Sequence, residues 1–434
     1  MKFIGIMTGN SLDAIDCVLT EFDNDKIHDI CGHSAEIPPL IANDFRTLKQ
    51  KLSQNGGDIC SFYNTETEFF TNLHNTYIEL VAQTVKKLLK KANIQSSDIK
   101  AIGFHGQTCF HFPPSIAGTN QEPSTVQIGS GQMLANLTNI PVVFDFRSAD
   151  IMNGGEGAPL APVHNFHLTT SLKAQKIFPL AFCNGGNTGN ITLISEDINT
   201  QEPQIMGWDT GPFNHFIDYL ARTEQNTPCD KDGHLGKQGN INLNLLDALF
   251  QKSATTSQGT NFIKCSPPKS SDPAWYKIIP ELISSDIPFY DRIRTAERFS
   301  AYAFAYNLSL IPFNLRIPQN FLLFGGGWNN PIVKNDFIGL VRGQIPPLAK
   351  HINIFKKIIN PKAIIESSDQ YNLSGKYMEA RIFADMAYCY FTKQPFSTPS
   401  TTGCKSPTIG GVLTTPQGNN KQLWSLAAKG WSKK

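Results

Sequence analysis

The chain opens with an apolar run, Phe3–Met7, followed by the polar stretch Thr8-Gly9-Asn10-Ser11-Leu12-Asp13-Ala14 and a second apolar run, Cys17–Phe22. Two β-prone runs joined by so short a polar link predict a hairpin. From about 66 to 92, Phe69, Phe70, Leu73, Tyr77, Leu80, Val81, Val85, Leu88 and Leu89 step by three and four, which predicts a long helix with one buried face. Ile99–Phe104 and Pro141–Phe146 are strand-like runs that each leave into a polar loop.

A second strand-rich unit begins near Phe178, with Phe178–Cys183 and Asn190–Ser195, a helix starting near Pro212 and another near Thr295. Asn320–Phe324 then runs into Gly325-Gly326-Gly327, and Tyr377–Phe391 predicts a helix ahead of a Ser/Thr/Pro/Gly-rich loop at 397–411. The Ser-, Thr- and Pro-rich stretch 251–274 reads as a surface excursion, and no repeat or low-complexity tract stands out. Locally paired strands followed by helices, twice over, predict an α/β chain of two lobes. Ligand loops in such folds gather at strand ends and in the cleft between domains.

Composition changes this picture little. Of 434 residues 40% are hydrophobic and 17% charged, as in ordinary globular proteins. With 38 basic against 36 acidic side chains, the charge of +2 gives no reason to expect nucleic acid or an anionic membrane as partner. No run reaches the ~18 apolar residues of a membrane helix, and the first apolar stretch is interrupted too early for a signal peptide. The nine cysteines (17, 31, 60, 109, 183, 229, 265, 389, 404) form no Cys-x-x-Cys pair. That argues against a disulfide framework and a zinc site, and fits a reducing cytoplasm.

Four glycine-bearing loops are candidates for chemistry. Backbone N–H groups and the Ser11 hydroxyl in Gly9-Asn10-Ser11-Leu12-Asp13 can hold phosphate oxygens, with Asp13 near a hydrated magnesium; an ordinary hairpin turn is the alternative. Asn184-Gly185-Gly186-Asn187-Thr188-Gly189-Asn190 is either a second phosphate hairpin or a structural Asn-Gly turn. Gly325-Gly326-Gly327 suits close backbone approach to a flat ligand such as adenine, or is only a tight turn. In Gly207-Trp208-Asp209-Thr210-Gly211-Pro212, Pro212 is placed to begin a helix and Asp209 to serve as general base or as helix cap. His105-Gly106-Gln107-Thr108 and Gly154–Leu160, the latter just beyond Arg147, carry polar groups suited to sugar hydroxyls; Arg147 can clamp a carboxylate. A buried core role for His105 competes with this reading. No Gly-x-x-x-x-Gly-Lys-[Ser/Thr] sequence occurs, which argues against a Walker-type NTPase, and no His/Cys metal spacing appears either.

Taken in order, these loops resemble the anhydro-N-acetylmuramic acid kinase family of the actin/hexokinase-like superfamily. The matching tracts are Met7–Asp16, Gly103–Pro113, Thr125–Gly131, Val142–His164, Asn184–Ile191, Gly207–Asn214, Asp230–Gly233, Pro267–Ser270, Gly325–Pro331, Glu379–Ala387 and Pro399–Gly411. The resemblance implies a two-lobed, ribonuclease H-like α/β kinase fold with an interlobe cleft. Residues 1–165, with 405–434 returning, would form the first lobe and 166–404 the second. It implies ATP and Mg2+, a homodimer, and a coupled reaction. Water attacks the anomeric carbon of 1,6-anhydro-N-acetylmuramic acid, the bridge opens, and the freed O6 takes the γ-phosphate, giving the 6-phosphate of cell-wall recycling. Asp209 would be the base. Gly9, Asn10, Ser11, Leu12, Asp13, Asp16, Asn184, Gly186, Gly325, Gly326 and Gly327 would hold the nucleotide, with Asp13 on Mg2+ through water. His105, Gln107 and Arg147 would meet the sugar, as would Glu379, whose alternative is a solvent-exposed helix glutamate.

The departures fall in the phosphate loops. Ala14 and Phe213 stand where the family has glycine, and Asn187 interrupts the second loop. A Cβ there restricts dihedrals or phosphate approach, least for Asn187 because Asn tolerates left-handed geometry, and most for bulky Phe213. Two further readings follow: a kinase for another amino sugar, and a non-catalytic relative that binds nucleotide or amino sugar.

Overall fold

The computed structural model describes residues 1–9, 11–23, 26–117, 122–174, 178–256, 258–271, 273–371 and 373–429. The strands in chain order are β1 Lys2–Thr8, β2 Ala14–Asp23, β3 Lys26–Glu36, β4 Ala101–Phe104, β5 Gln107–Phe112, β6 Ser124–Ile128, β7 Val142–Phe144, β8 Leu180–Gly185, β9 Thr188–Glu196, β10 Pro203–Pro212, β11 Asn320–Phe324, β12 Ile364–Ser367 and β13 Val412–Thr414. They belong to two compact units, one of residues 1–171 and 377–434, the other of 172–376.

In the first unit the sheet order is β13-β7-β4-β1-β2-β3, with β1, β4 and β7 mutually parallel and β2 antiparallel to both its neighbours. One face is covered by the helices Pro39–Gln54 and Thr67–Ala92, whose apolar stripe (Phe70, Leu73, Tyr77, Val81, Val85, Leu88) is buried as its spacing demands. The other face takes the helix Met378–Thr392. Gly5 of β1 and Gly103 of β4 are paired in register, and a Cβ on either would strike the helix backbone at Ala380 O and Phe383 O. Glycine there lets helix and sheet backbones touch. This packing moves the expected boundary: residues 377–404 belong to the first unit, not the second. The other boundary, expected at 165/166, falls inside one helix, Ala161–Ala174.

The second unit's sheet runs β10-β9-β8-β11-β12, again with a meander of three antiparallel strands and two parallel additions. Strand for strand this is the order β3-β2-β1-β4-β7 of the first unit. Both sheets therefore have the ribonuclease H-like topology, and the fold is α/β of the actin/hexokinase-like kind. The helix Phe289–Leu308 is buried at nearly every position from Arg292 onward, as a central helix must be.

Three local expectations change. The helix near Pro212 starts at His215, and Pro212 is the last residue of β10, paired with Thr188. Trp208 and Asp209 are strand residues, so Asp209 caps no helix. The stretch 251–274 is only partly a surface excursion, since Phe262, Ile263, Lys269, Ser270 and Ser271 are buried. All nine cysteines are free thiols.

Candidate active site

Within the second unit, three of the glycine loops converge. The β8–β9 turn carries Gly186 and Asn187, whose carbonyls accept from the backbone N–H of Asn214 (3.1 Å) and Phe213 (2.9 Å). The Trp328 indole N–H donates to the Cys183 carbonyl at 2.9 Å, drawing the turn that follows β11 onto the end of β8. Gly325, at φ 92°, lies so close to Asn184 Oδ1 and the Gly185 carbonyl that any side chain would collide. Gly185 and Gly327 both face the Phe213 ring. Gly326 differs: nothing lies within 4 Å of where its Cβ would be, which leaves its backbone open to a ligand. Phe213 itself packs edge-on against Phe304 and Trp328, and it is buried. Its bulk is absorbed by the core.

Asp209 is buried on β10, and among the described residues its carboxylate is held through one oxygen. Its Oδ2 accepts from the Ser271 N–H at 2.7 Å, the Ser271 hydroxyl at 3.0 Å and the Ser270 hydroxyl at 3.4 Å, while Oδ1 takes none of these bonds. The Asp209 N–H donates to the Lys269 carbonyl at 2.9 Å. The Ser271 hydroxyl also meets Tyr276 Oη at 2.6 Å, and Tyr276 Oη meets Thr188 Oγ1 at 3.0 Å, so a hydroxyl chain links the carboxylate to the β8–β9 hairpin. Burial raises the Asp209 pKa above the usual carboxylate range, against the bonds from Ser271 and the charge of Lys269. Lys269 lies buried with its ammonium donating to the carbonyls of Phe262 (3.0 Å) and Ile263 (3.1 Å). Burial lowers it to about 7.

In the first unit, His105 follows β4, Gln107 begins β5, and Arg147 follows β7. The Arg147 Nε and Nη2 contact His105 Nε2 at 3.2 and 3.1 Å, and Nη1 donates to the Gly157 carbonyl at 2.5 Å. Burial first, then the Arg147 charge, hold the His105 pKa well below its ordinary value. The ring is neutral, and accepting from Arg147 at Nε2 places its proton on Nδ1. Asp150 fixes the neighbouring loop: its Oδ2 accepts from the Gly157 N–H at 2.7 Å and its Oδ1 from the Thr402 hydroxyl at 2.7 Å. Gln107 is fully buried, and its amide donates to the Thr108 carbonyl at 3.1 Å. Glu379 is exposed in the first turn of the helix Met378–Thr392.

The β1–β2 turn is more open. Ser11 and Asp13 are exposed and joined by a hydroxyl–carboxylate bond. Leu12, at φ 60°, turns its side chain into the core, so only its backbone faces outward. Asp16 stands within β2, where it accepts from the Ser34 hydroxyl across the strand pair at 2.5 Å. Gly9 flanks the turn, and Asn10 lies outside the described residues.

The residues that the sequence reading missed are Ser270, Ser271, Tyr276 and Thr188 around Asp209. The Pro-Pro-Lys-Ser tract flagged the place, but not its contact with a strand about 60 residues earlier.

The anhydro-N-acetylmuramic acid kinase family model matches residues 1–416. The chain belongs to that family. A relative from Vibrio vulnificus (strain CMCP6), bearing the family's name, is 30% identical over 95% of this chain and 97% of its own length. One from Paramagnetospirillum magneticum is 30% identical over 95% and 99%. Among solved structures, an activator of 2-hydroxyisocaproyl-CoA dehydratase from Clostridium difficile with bound ADPNP aligns at TM-score 0.39 and 12% identity, covering 91% of this chain and 96% of its own. That likeness is too slight to bear on function.

Proposed function

We propose that the protein is an ATP-dependent kinase that opens the 1,6-anhydro ring of 1,6-anhydro-N-acetylmuramic acid and phosphorylates O6. The observation that carries this reading, within the family, is Asp209: a buried carboxylate with Oδ2 anchored by Ser270 and Ser271 and Oδ1 left for a proton. Its raised pKa makes it a stronger base than a solvated aspartate, and the serine bonds and Lys269 keep its anionic form in reach.

In the proposed sequence Asp209 takes a proton from water as the water oxygen bonds to the anomeric carbon. The C1–O6 bond breaks, and O6 displaces ADP from the γ-phosphorus. The Gly186, Asn184 and Gly325–Gly327 turns, with Gly326 open, suit nucleotide contacts through the backbone. Gly9, Ser11 and the backbone of Leu12 suit phosphate. Asp13, exposed at the turn, suits Mg2+ held through water, and the ion would neutralise phosphate charge. Arg147, oriented by His105 and Gly157, suits the sugar's lactyl carboxylate, with Gln107 and exposed Glu379 as further sugar contacts. Cytoplasmic peptidoglycan recycling and a homodimer complete the proposal.

Phe213 supports an active enzyme over a non-catalytic relative, because its ring is seated among Phe304 and Trp328. The test is incubation with Mg-ATP and the anhydro sugar in ¹⁸O-labelled water, read by mass spectrometry. ADP and a 6-phosphate sugar with one label at the anomeric position are expected. No product despite ATP binding would overturn the reading.

A further inference from the structure

In the first unit, away from the residues assigned above, four metal-binding side chains meet inside an apolar cluster. His164 and His167 lie three residues apart on the helix Ala161–Ala174, and Asp385 and Cys389 four apart on the helix Met378–Thr392, so each pair shares a helix face. The Nδ1 atoms of both histidines are 2.8 Å from Asp385 Oδ2, and Cys389 Sγ is 3.8 Å from Asp385 Oδ1. Donor atoms of His167, Asp385 and Cys389 all lie within 4.8 Å of one another. His164, Asp385 and Cys389 are buried, while the His167 side chain is 23% exposed and gives a path from solvent. The surroundings are Leu160, Val163, Ile382, Met386 and Phe396.

We propose that His167, Asp385 and Cys389 ligate a divalent transition metal of the zinc class, with His164 orienting the Asp385 carboxylate. Donors of this kind sit about 3.3–3.7 Å apart around tetrahedral Zn2+, a small adjustment of the present spacing. Charge favours the assignment. A dication, one carboxylate, one thiolate and one neutral imidazole sum to zero, a combination that an apolar interior accommodates. His164 also fits the pattern in which a group hydrogen-bonded to a ligating carboxylate fixes its orientation. The metal would clamp two helices that are more than 200 residues apart in sequence. That distance explains why the cysteine spacing gave no zinc signal.

The test uses the full chain, stripped with chelator and titrated with Co2+ and then Zn2+ in the absence of nucleotide. One Co2+ per chain, visible bands of tetrahedral cobalt, a near-ultraviolet thiolate band, displacement by Zn2+ and a rise in Tm are expected. Cys389→Ser should abolish the thiolate band, and Cys389→Ser and His167→Gln should each weaken binding about 100-fold or more. X-ray absorption of the Zn2+-loaded wild type needs no variant and should show one sulfur among nitrogen and oxygen ligands. Absence of spectral change in the wild type, unchanged bands in both variants, or a first shell without sulfur would each overturn the site.

Discussion

The two sheets have the same strand order, yet their central parallel pairs, β1 with β4 and β8 with β11, use glycine in opposite places. In the first unit Gly5 and Gly103 sit mid-strand, and their missing side chains let a helix backbone rest on the sheet. In the second, Leu180–Cys183 and Asn320–Phe324 carry no glycine mid-strand; Gly185, Gly325 and Gly327 stand at the strand ends, against Phe213, Asn214 and Asn184. The hairpin tips differ too. The β1–β2 turn exposes Ser11 and Asp13, whereas the β8–β9 turn is tied by backbone bonds to Phe213 and Asn214. One topology thus serves two purposes: close helix packing in the first unit, and a rigid, aromatic-backed set of turns in the second. What a glycine does is set by what stands opposite it.

The comparison breaks hardest at Gly5. Gly5→Val should abolish soluble, folded protein, because the new side chain meets helix backbone that cannot step aside; a normal melting curve would show that the helix is not so tightly seated. Asp209→Asn should lower kcat by about 1,000-fold while ATP affinity stays within a factor of a few, since it removes the proposed base and none of the proposed nucleotide contacts. Retained turnover in a rapid-quench assay would remove Asp209 from that role. Phe213→Ala should cost about 3–4 kcal/mol in denaturant unfolding, because Phe304 and Trp328 would border a cavity.

A comparable effect is expected at Glu297, buried on the central helix of the second unit with its Oε1 accepting from the Asn330 amide at 2.6 Å. Burial, with the charge of Asp230 beside it, raises its pKa to about 8. A carboxyl raised above its unfolded value favours folding fully below that value and loses the contribution as pH climbs through about 8. Glu297→Gln should therefore gain on wild type by roughly 4 kcal/mol between pH 5 and pH 9. Parallel melting profiles across that range would contradict the shift. Smallest is Gly326→Ala: stability within about 0.5 kcal/mol of wild type, because its Cβ meets nothing. A KM for ATP raised about 10-fold would mark it as a point of nucleotide approach, and an unchanged KM would not.

Legibility in the sequence followed the range of the forces involved. The helix at 67–92 was plain because its stripe is local, and β8 and β11 because their apolar runs are continuous. β3 escaped because Lys26–Glu36 is mostly half-buried and reads as polar. The stretch from Gly207 to Pro212 looked like a loop, being rich in residues that favour turns, yet pairing with β9 makes it strand. The repeated sheet order left no trace in local sequence, because order is a property of long-range pairing. At the site, motifs named Asp209 but not its serine partners, and only folding puts Ser271 against it.

The first unit is assembled from both ends of the chain, while the second is one uninterrupted segment. During synthesis, residue 376 emerges before the helix Met378–Thr392 that covers Gly5 and Gly103, and before β13 completes the first sheet. The half of the molecule that starts first therefore finishes last. A nascent chain that has emerged only as far as residue 376 would hold a complete second sheet and a first sheet whose helix-covered face is still bare, the state in which chaperones and proteases would find this protein most vulnerable.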